Sequence, residues 1–296
     1  SYNFVRYNRC LIMAIKLGNT NINVFGNNWI KAYLGNTLVL GSAVTEFISL
    51  WETTTPNETI TLPITAGNTW DWGDGTINQE NSHEYTDAGQ YTIKTSDSVV
   101  GFRFNNTGDK DKILNISSWG MLSIRFSSFY GASNLDVTAT DVPSPESTVL
   151  PSVFRDCTSL VWNSSVNNLD VSLATNLAAF FEKCDLFNQS VSSWDTSNVQ
   201  EFSRTFRSAT SFNQDVSSWD FSSTTNLNDF MGIKSSTNYD AVYYDNLLIK
   251  WDSQLVFSGF IDVNIGMGSI KYTAAGATAR ASLVGKGFVV SDGGLL

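Results

Sequence analysis

One stretch of this chain is written twice. Phe187-Asn188-Gln189-Ser190-Val191-Ser192-Ser193-Trp194-Asp195 returns as Phe212-Asn213-Gln214-Asp215-Val216-Ser217-Ser218-Trp219-Asp220, an offset of 25 residues (212 − 187). The same offset links Leu177 to Phe202 to Leu227, Phe181 to Phe206 to Met231, and Phe129, Ala132 and Leu135 to Phe154, Cys157 and Leu160. Between Phe154 and Phe181 the step is 27 (181 − 154), so that unit carries a small insertion. Ser-Ser-Trp ends at Trp119, Trp194 and Trp219, and 194 − 119 = 75 sets the first three periods before the second.

A fixed period of 20–50 residues marks a stacked array, because one unit cannot bury its own apolar face. Val199, Phe202, Phe206 and Ala209 fall at steps of three and four, which predicts one face of a short helix. Ser197 or Asn198 is the expected N-cap. Val191 and Trp194 fit a short extended segment, so each unit reads as helix, turn, strand.

These repeats, from about Ile113 to about Met231, resemble those of BspA-like, leucine-rich-repeat-type surface proteins. The resemblance implies a right-handed solenoid used for display and binding, and no enzyme. Upstream, Trp70-Asp71-Trp72-Gly73-Asp74-Gly75-Thr76, His83-Glu84-Tyr85 and Gly89-Gln90-Tyr91-Thr92-Ile93 are similar to the PKD-type immunoglobulin-like sandwich. The expected fold class is mostly β and multi-domain: a short β N-terminal segment, an immunoglobulin/PKD-like β-sandwich, then an α/β leucine-rich-repeat-like solenoid with an α/β C-terminal cap. The expected divisions are 1–41, 42–100, 101–238 and 239–296.

At the N-terminus, Leu17-Gly18-Asn19-Thr20 recurs as Leu34-Gly35-Asn36-Thr37, and Gly-Asn between apolar runs predicts two hairpins or a meander. This segment resembles short β segments of tailed-phage structural proteins, which implies attachment to a particle. Met13 has the look of a translation start, which makes residues 1–12 an upstream extension, and no secretory pattern precedes it. Val142 to Ser147, with Pro143 and Pro145, is expected to be a loop excluded from regular pairing. Beyond Tyr239 the period is expected to break. The expected order there is an amphipathic helix around Val242 to Trp251, a strand at Ile261, Val263 and Ile265, an Ala-rich helix from Tyr272 to Leu283, and a strand at Phe288 to Val290.

Charged residues are 16 % of the chain, and hydroxyl and amide side chains take their place. The formal net charge is −10 with 18 scattered Lys and Arg, which argues against nucleic-acid binding. No run of 18 apolar residues exists, so no membrane span is expected. Three cysteines are too few for a disulfide framework. Cys157 and Cys184 share a repeat position and are expected as small core residues, with a disulfide between them as the alternative.

The candidates for chemistry are few. His83 is the only histidine and is expected to be structural. Asp71, Asp74 and Asp87 offer oxygen ligands for a structural calcium ion, but Asp74 in a Gly-Asp-Gly turn suits a backbone bond better. No cofactor is expected. Asp195 and Asp220 recur with the period, which favours turn formation over a glycosidase carboxylate pair. Trp194, Asp195, Trp219 and Asp220 could line a binding face; core rungs are the favoured reading of the two indoles. The expectation is a non-enzymatic bacteriophage structural protein at the virion surface: a head fibre, capsid spike or tail-associated protein. It would hold capsid or tail proteins through its N-terminal segment, form a homo-oligomer such as a trimer, and attach to a host surface protein or glycan. The alternative is a BspA-like adhesin on a bacterial cell surface.

Overall fold

The computed structural model describes residues 46–65, 67–255 and 264–296 in full, together with the backbone of five strands in 3–40. Two compact units divide the chain, Ser1–Glu46 and Phe47–Leu296. In the first, β1 (Asn3–Tyr7), β2 (Cys10–Leu17) and β3 (Thr20–Phe25) form an antiparallel meander, and β4 (Ala32–Leu34) pairs with β5 (Thr37–Leu40). The registers Leu17↔Thr20 and Leu34↔Thr37 put each Gly-Asn pair at a strand reversal, though Gly18-Asn19 and Gly35-Asn36 lie outside the described residues. The predicted upstream extension contributes β1, which pairs with β2 from Asn3↔Ala14 to Tyr7↔Cys10.

The second unit is mostly β and opens with two sheets. β6 (Phe47–Thr53) lies between β11 (Gly89–Thr95) and β12 (Ile113–Ser118), antiparallel to both. β8 (Trp70–Asp71) and β9 (Ile77–Asn78) extend that sheet on one side, and β14 (Asp136–Val137) extends it on the other, parallel to β12. β7 (Glu58–Thr61) and β10 (Ser82–Tyr85) form the second sheet. Alternation along β6 buries Phe47, Ser49, Trp51 and Thr53, as a strand with one covered face requires. Because β12 and β14 belong to the same sheet as β6, the core runs without a break from Phe47 into the repeats.

The repeats are built from hydrogen bonds that leap one unit. Ser152, Phe154 and Asp156 donate their N–H groups to the carbonyls of Ala178, Phe180 and Glu182. Ala179, Phe181 and Lys183 donate to Ser203, Thr205 and Arg207, and Arg204, Phe206 and Ser208 donate to Asn228, Phe230 and Gly232. Intervening N–H groups close turns three residues back, as Arg155 to Ser152 and Cys157 to Phe154. Parallel bridges Val149↔Asn176, Asn176↔Glu201 and Glu201↔Asn226 mark the same stacking. The predicted helix at Val199–Ala209 is therefore absent. Its apolar three- and four-residue steps come from consecutive turns, whose donors are spent on the neighbouring unit and not on an i−4 carbonyl.

Two turns per unit need a positive φ at their third residue, the type II requirement. Those places are held by Ser127, Ala179, Arg204 and Asp229 in one column, and by Asn106, Gly131, Asp156, Lys183, Ser208 and Ile233 in the other. The second column extends the period back to Asn106, ahead of the Ile113 boundary suggested by the motif. Phe129, Phe154, Phe181 and Phe206 stack above one another at 5.5, 5.9 and 5.9 Å between ring centres. The extra two residues lie between Leu160 and Val166, since 187 − 160 = 27 while 191 − 166 = 25. There Asn163 caps a 3-10 turn, Ser164–Asn168.

Two other expectations are corrected. β15 (Ser144–Pro145) pairs in parallel with β13 (Ser123–Ile124), so the proline loop does join a ladder. Glu146 supplies the N–H to Ile124 O that Pro145 cannot. Beyond Tyr239 the period is interrupted and then resumes. α1 (Ala241–Gln254) and α2 (Ala274–Gly285) form where helices were expected, capped by Asp240 and Thr273. Between and after them, β16 (Asn264–Gly266) and β17 (Val289–Ser291) add two rungs in parallel, 25 residues apart (289 − 264). Ile265 lies in β16; Ile261 and Val263 lie outside the described residues.

The positive-φ column makes opposite predictions at two positions. A Cβ at Gly131 (φ +88°) would sit 2.1 Å from Asn106 Oδ1, so Gly131→Ala should lower unfolding stability by about 2 kcal/mol or more. Ile233 is exposed, β-branched and held at φ 71°, so Ile233→Gly should raise stability by about 1 kcal/mol. Urea denaturation of both variants reads the two signs; a loss of stability in Ile233→Gly rejects the strain argument.

Candidate functional site

The indoles expected on a binding face are inside. Trp194 and Trp219 are 4 % and 0 % exposed and stack 5.8 Å apart at an interplanar angle of 3°. Each Nε1–H donates to a carbonyl 28 residues earlier, Trp194 to Val166 and Trp219 to Val191, both at 2.9 Å. Burial of so large a ring is favourable once its one polar atom has an acceptor. These two residues are core rungs, and the binding-face expectation fails for them. Trp119 does not repeat the bond: its Nε1 is buried without a partner, and its ring packs on Trp162 instead.

Asp195 and Asp220 do remain at the surface, as turn formers. Asp195 accepts from the Ser197 hydroxyl at 2.7 Å and N–H at 3.1 Å. Asp220 accepts from Ser222 N at 2.8 Å, and Asp170 repeats the turn with Ser172. The Ser197 hydroxyl and backbone bonds hold the Asp195 carboxyl below its ordinary range. The Ser222 backbone and hydroxyl bonds do the same for Asp220. Neither carboxyl has the raised affinity for a proton that a general acid requires.

The Trp-Asp-Trp-Gly-Asp-Gly-Thr stretch is a structural knot. Trp70 and Trp72 are buried, and Tyr85 Oη donates to Trp72 O at 2.9 Å. Asp71 and Asp74 accept from Gly73 N and Thr76 N at 3.0 and 2.9 Å. Gly73 (φ +83°) is obligatory, because a Cβ would meet Thr92 O at 2.6 Å. His83 stacks on Trp72 and its Nε2 lies 2.7 Å from Asp74 Oδ2. Burial raises the Asp74 pKa, but the His83 and Thr76 bonds prevail and leave it lowered. Among the described residues no group of three His, Cys, Asp or Glu is placed to hold a metal ion.

Cys157 and Cys184 are free and buried, and each thiol donates to a carbonyl of the preceding unit, Phe129 O and Phe154 O. Burial pushes both thiols far above the usual range, so neither is a nucleophile. In the same column, Lys234 replaces the small residue at the end of the repeats. It is 1 % exposed and its Nζ donates to Ala209 O at 2.7 Å. Burial brings its pKa down to about 8. Sequence inspection also missed a charge ladder: Arg155 Nε and Arg207 Nη1 flank Glu182, which is 1 % exposed, at 3.1 and 3.0 Å. Aligning the units at 25 and 27 residues puts the three in one column, and that was the available signal.

Beside this ladder a trough of about 320 Å3 crosses four units. Pro151, Ala178, Ser203 and Asn228 occupy one column along it, with Arg155 and Arg204 at its side. Glu182 takes up the Arg155 guanidinium, whereas that of Arg204 is exposed and makes no hydrogen bond or ion pair within the described residues. The acids nearby have other partners: Glu201 accepts from Asn226 Nδ2 at 3.1 Å, and Asp229 faces Arg207 Nε at 3.5 Å.

The same region carries the match to known proteins. Residues 125–244 are similar to a family described as Mycoplasma protein of unknown function, DUF285. No curated protein and no solved structure matches the chain. Among the described residues no helix is long and apolar enough to cross a membrane.

Two measurements test the buried charges. Glu182→Gln leaves two guanidinium groups without their counter-charge and should cost about 3 kcal/mol of unfolding stability; a neutral result means the ladder is solvated. For Lys234, the folded pKa lies below the ordinary lysine value, so between about pH 8 and 10.5 the unfolded state binds more protons. Its contribution to stability is therefore least favourable below pH 8 and improves as pH rises through that window. Subtracting the stability–pH curve of Lys234→Met from that of the wild type should leave this rise, and a flat difference contradicts it.

Proposed function

We propose that this chain is a non-enzymatic display protein whose stacked repeats form a rigid leucine-rich-repeat-type solenoid for attachment to a host surface. The observation that supports this reading best is where the reactive side chains go. His83, the two buried cysteines, and Asp195 and Asp220 are each committed to turns or to the core. What the repeat region leaves uncommitted is a trough with free hydrogen-bond donors, suited to binding and not to turnover.

In this proposal the sandwich, read as a PKD-type module, is a spacer, and the first unit is the attachment segment. The place of work is the surface of a bacteriophage particle, as a head fibre, spike or tail-associated protein bound to capsid or tail proteins. A homo-oligomer set by particle symmetry fits that role. The second reading, a cell-surface adhesin of the BspA-like type, is favoured by the similarity of 125–244 to a family named for Mycoplasma, a cellular source.

Mass spectrometry of purified virus particles separates the two. The virion reading expects this chain in a fixed ratio to the major capsid protein. Its presence only in bacterial envelope fractions supports the adhesin instead, and absence from both overturns surface display.

A further inference from the structure

We propose that the trough across the repeats binds a carboxylated sugar, one or two rings of an unbranched acidic glycan. This deepens the display reading and rests on it.

Three hydrogen-bond donors of the trough have no partner. The Arg204 guanidinium is unpaired within the described residues, although every other described arginine has one: Arg103 bonds Asn105, Arg125 faces Glu146, Arg155 and Arg207 share Glu182, and Arg280 holds Asp292. The Ser152 hydroxyl makes no hydrogen bond. Asn228 spends its Oδ1 on Asn264 N at 3.2 Å, which leaves its amide N–H groups free. In a chain of net charge −10, an unpaired arginine beside such donors is unusual. The fitting ligand is rich in acceptor oxygens and carries one negative charge. Arginine matches a carboxylate through two parallel N–H bonds, and hydroxyl oxygens suit the serine and the amide.

Spacing decides between sugar and peptide. The stacked phenylalanines beneath the trough repeat at 5.5 to 5.9 Å. Side chains on one face of an extended peptide recur at about 6.6 Å, so a peptide slips out of step along the units. A hexopyranose residue is close to one rung in length and keeps step. The volume of about 320 Å3 is at the small end of ligand sites, which suits one or two rings.

The test titrates the full chain with a linear trimer of galacturonic acid at low ionic strength, by calorimetry. The comparison ligands are the neutral galactose trimer of the same linkage and a short oligoglutamate peptide. Saturable binding of the uronate is expected, at least tenfold tighter than either comparison ligand. Arg204→Gln should weaken it about tenfold or more, the loss of one charge-assisted contact. Asn228→Asp keeps the acceptor for Asn264 N, removes the donor and adds a like charge, and should weaken it too. Unchanged melting temperatures confirm that both surface variants fold. Absence of saturation, equal binding of the neutral trimer, tighter binding of the peptide, or indifference to Arg204→Gln each overturns the assignment. Whole-cell retention of the same protein reads the display function separately. Retention without uronate binding discards the ligand and keeps the display reading; loss of both discards both.

Discussion

Everything in the repeats depends on where a backbone N–H finds its carbonyl. A buried amide must be paired. A unit of 25 residues is too short to fold back on itself as a hairpin and a helix, so it borrows acceptors from its neighbour. The ladder from Ser152, Phe154 and Asp156 into Ala178, Phe180 and Glu182 shows the consequence. Alternate donors are spent across the gap, and only three-residue turns are left to compact the chain locally. Those turns demand positive φ twice per unit, at residues as unsuited as Lys183 and Ile233. The strain is tolerated because each such residue is fixed by bonds to the next unit, and those bonds recur down the stack.

Polar side chains follow the same rule. The hydroxyls and amides that replace charge in the composition are not mainly a solvated coat. Thr158 bonds Ser133 O, Thr210 bonds Asp185 O, Asn198 bonds Ser172 O and Ser218 bonds Ser192 O, each reaching one unit back. Thr, Ser and Asn have short side chains that can do this without crossing a rung. Longer charged residues cannot, and the exception, Lys234, stands at the end of its column, reaching back to Ala209 O.

The sequence showed the columns and hid the backbone. The 25-residue offset placed Phe154, Phe181 and Phe206 over one another, and the Trp-Asp-Trp-Gly-Asp-Gly-Thr motif located the buried sandwich residues. Apolar steps of three and four were read as a helix because consecutive turns produce the same spacing. Only the destination of the N–H groups separates the two, and that depends on a residue 24 or 26 positions away. The positive-φ sites escaped notice since nearly all lack glycine. Trp194 and Trp219 were rightly stacked, yet their burial turns on carbonyls 28 residues earlier that no local pattern reveals. Arg155, Glu182 and Arg207 were missed for a simpler reason: the two-residue insertion shifts their offsets apart, from 27 to 25.

The same accounting bears on function. A stack held by reciprocal bonds has few groups to spare, so an unpaired donor on it is informative. On the Trp column the polar atoms are consumed: the indoles bond carbonyls, and Asp195 and Asp220 close turns. Substituting there would alter folding before it altered any ligand. On the Arg155 side the column changes from paired to unpaired within one unit, from Arg155 held by Glu182 to Arg204 held by nothing described. Arg204 contributes no ion pair to the stack, yet it keeps an exposed cation at a left-handed position that glycine would fill with less strain. A residue that costs the fold something and returns no contact to it is better explained by what it can hold outside the fold, and this moves the proposed binding surface from the tryptophan column to the trough.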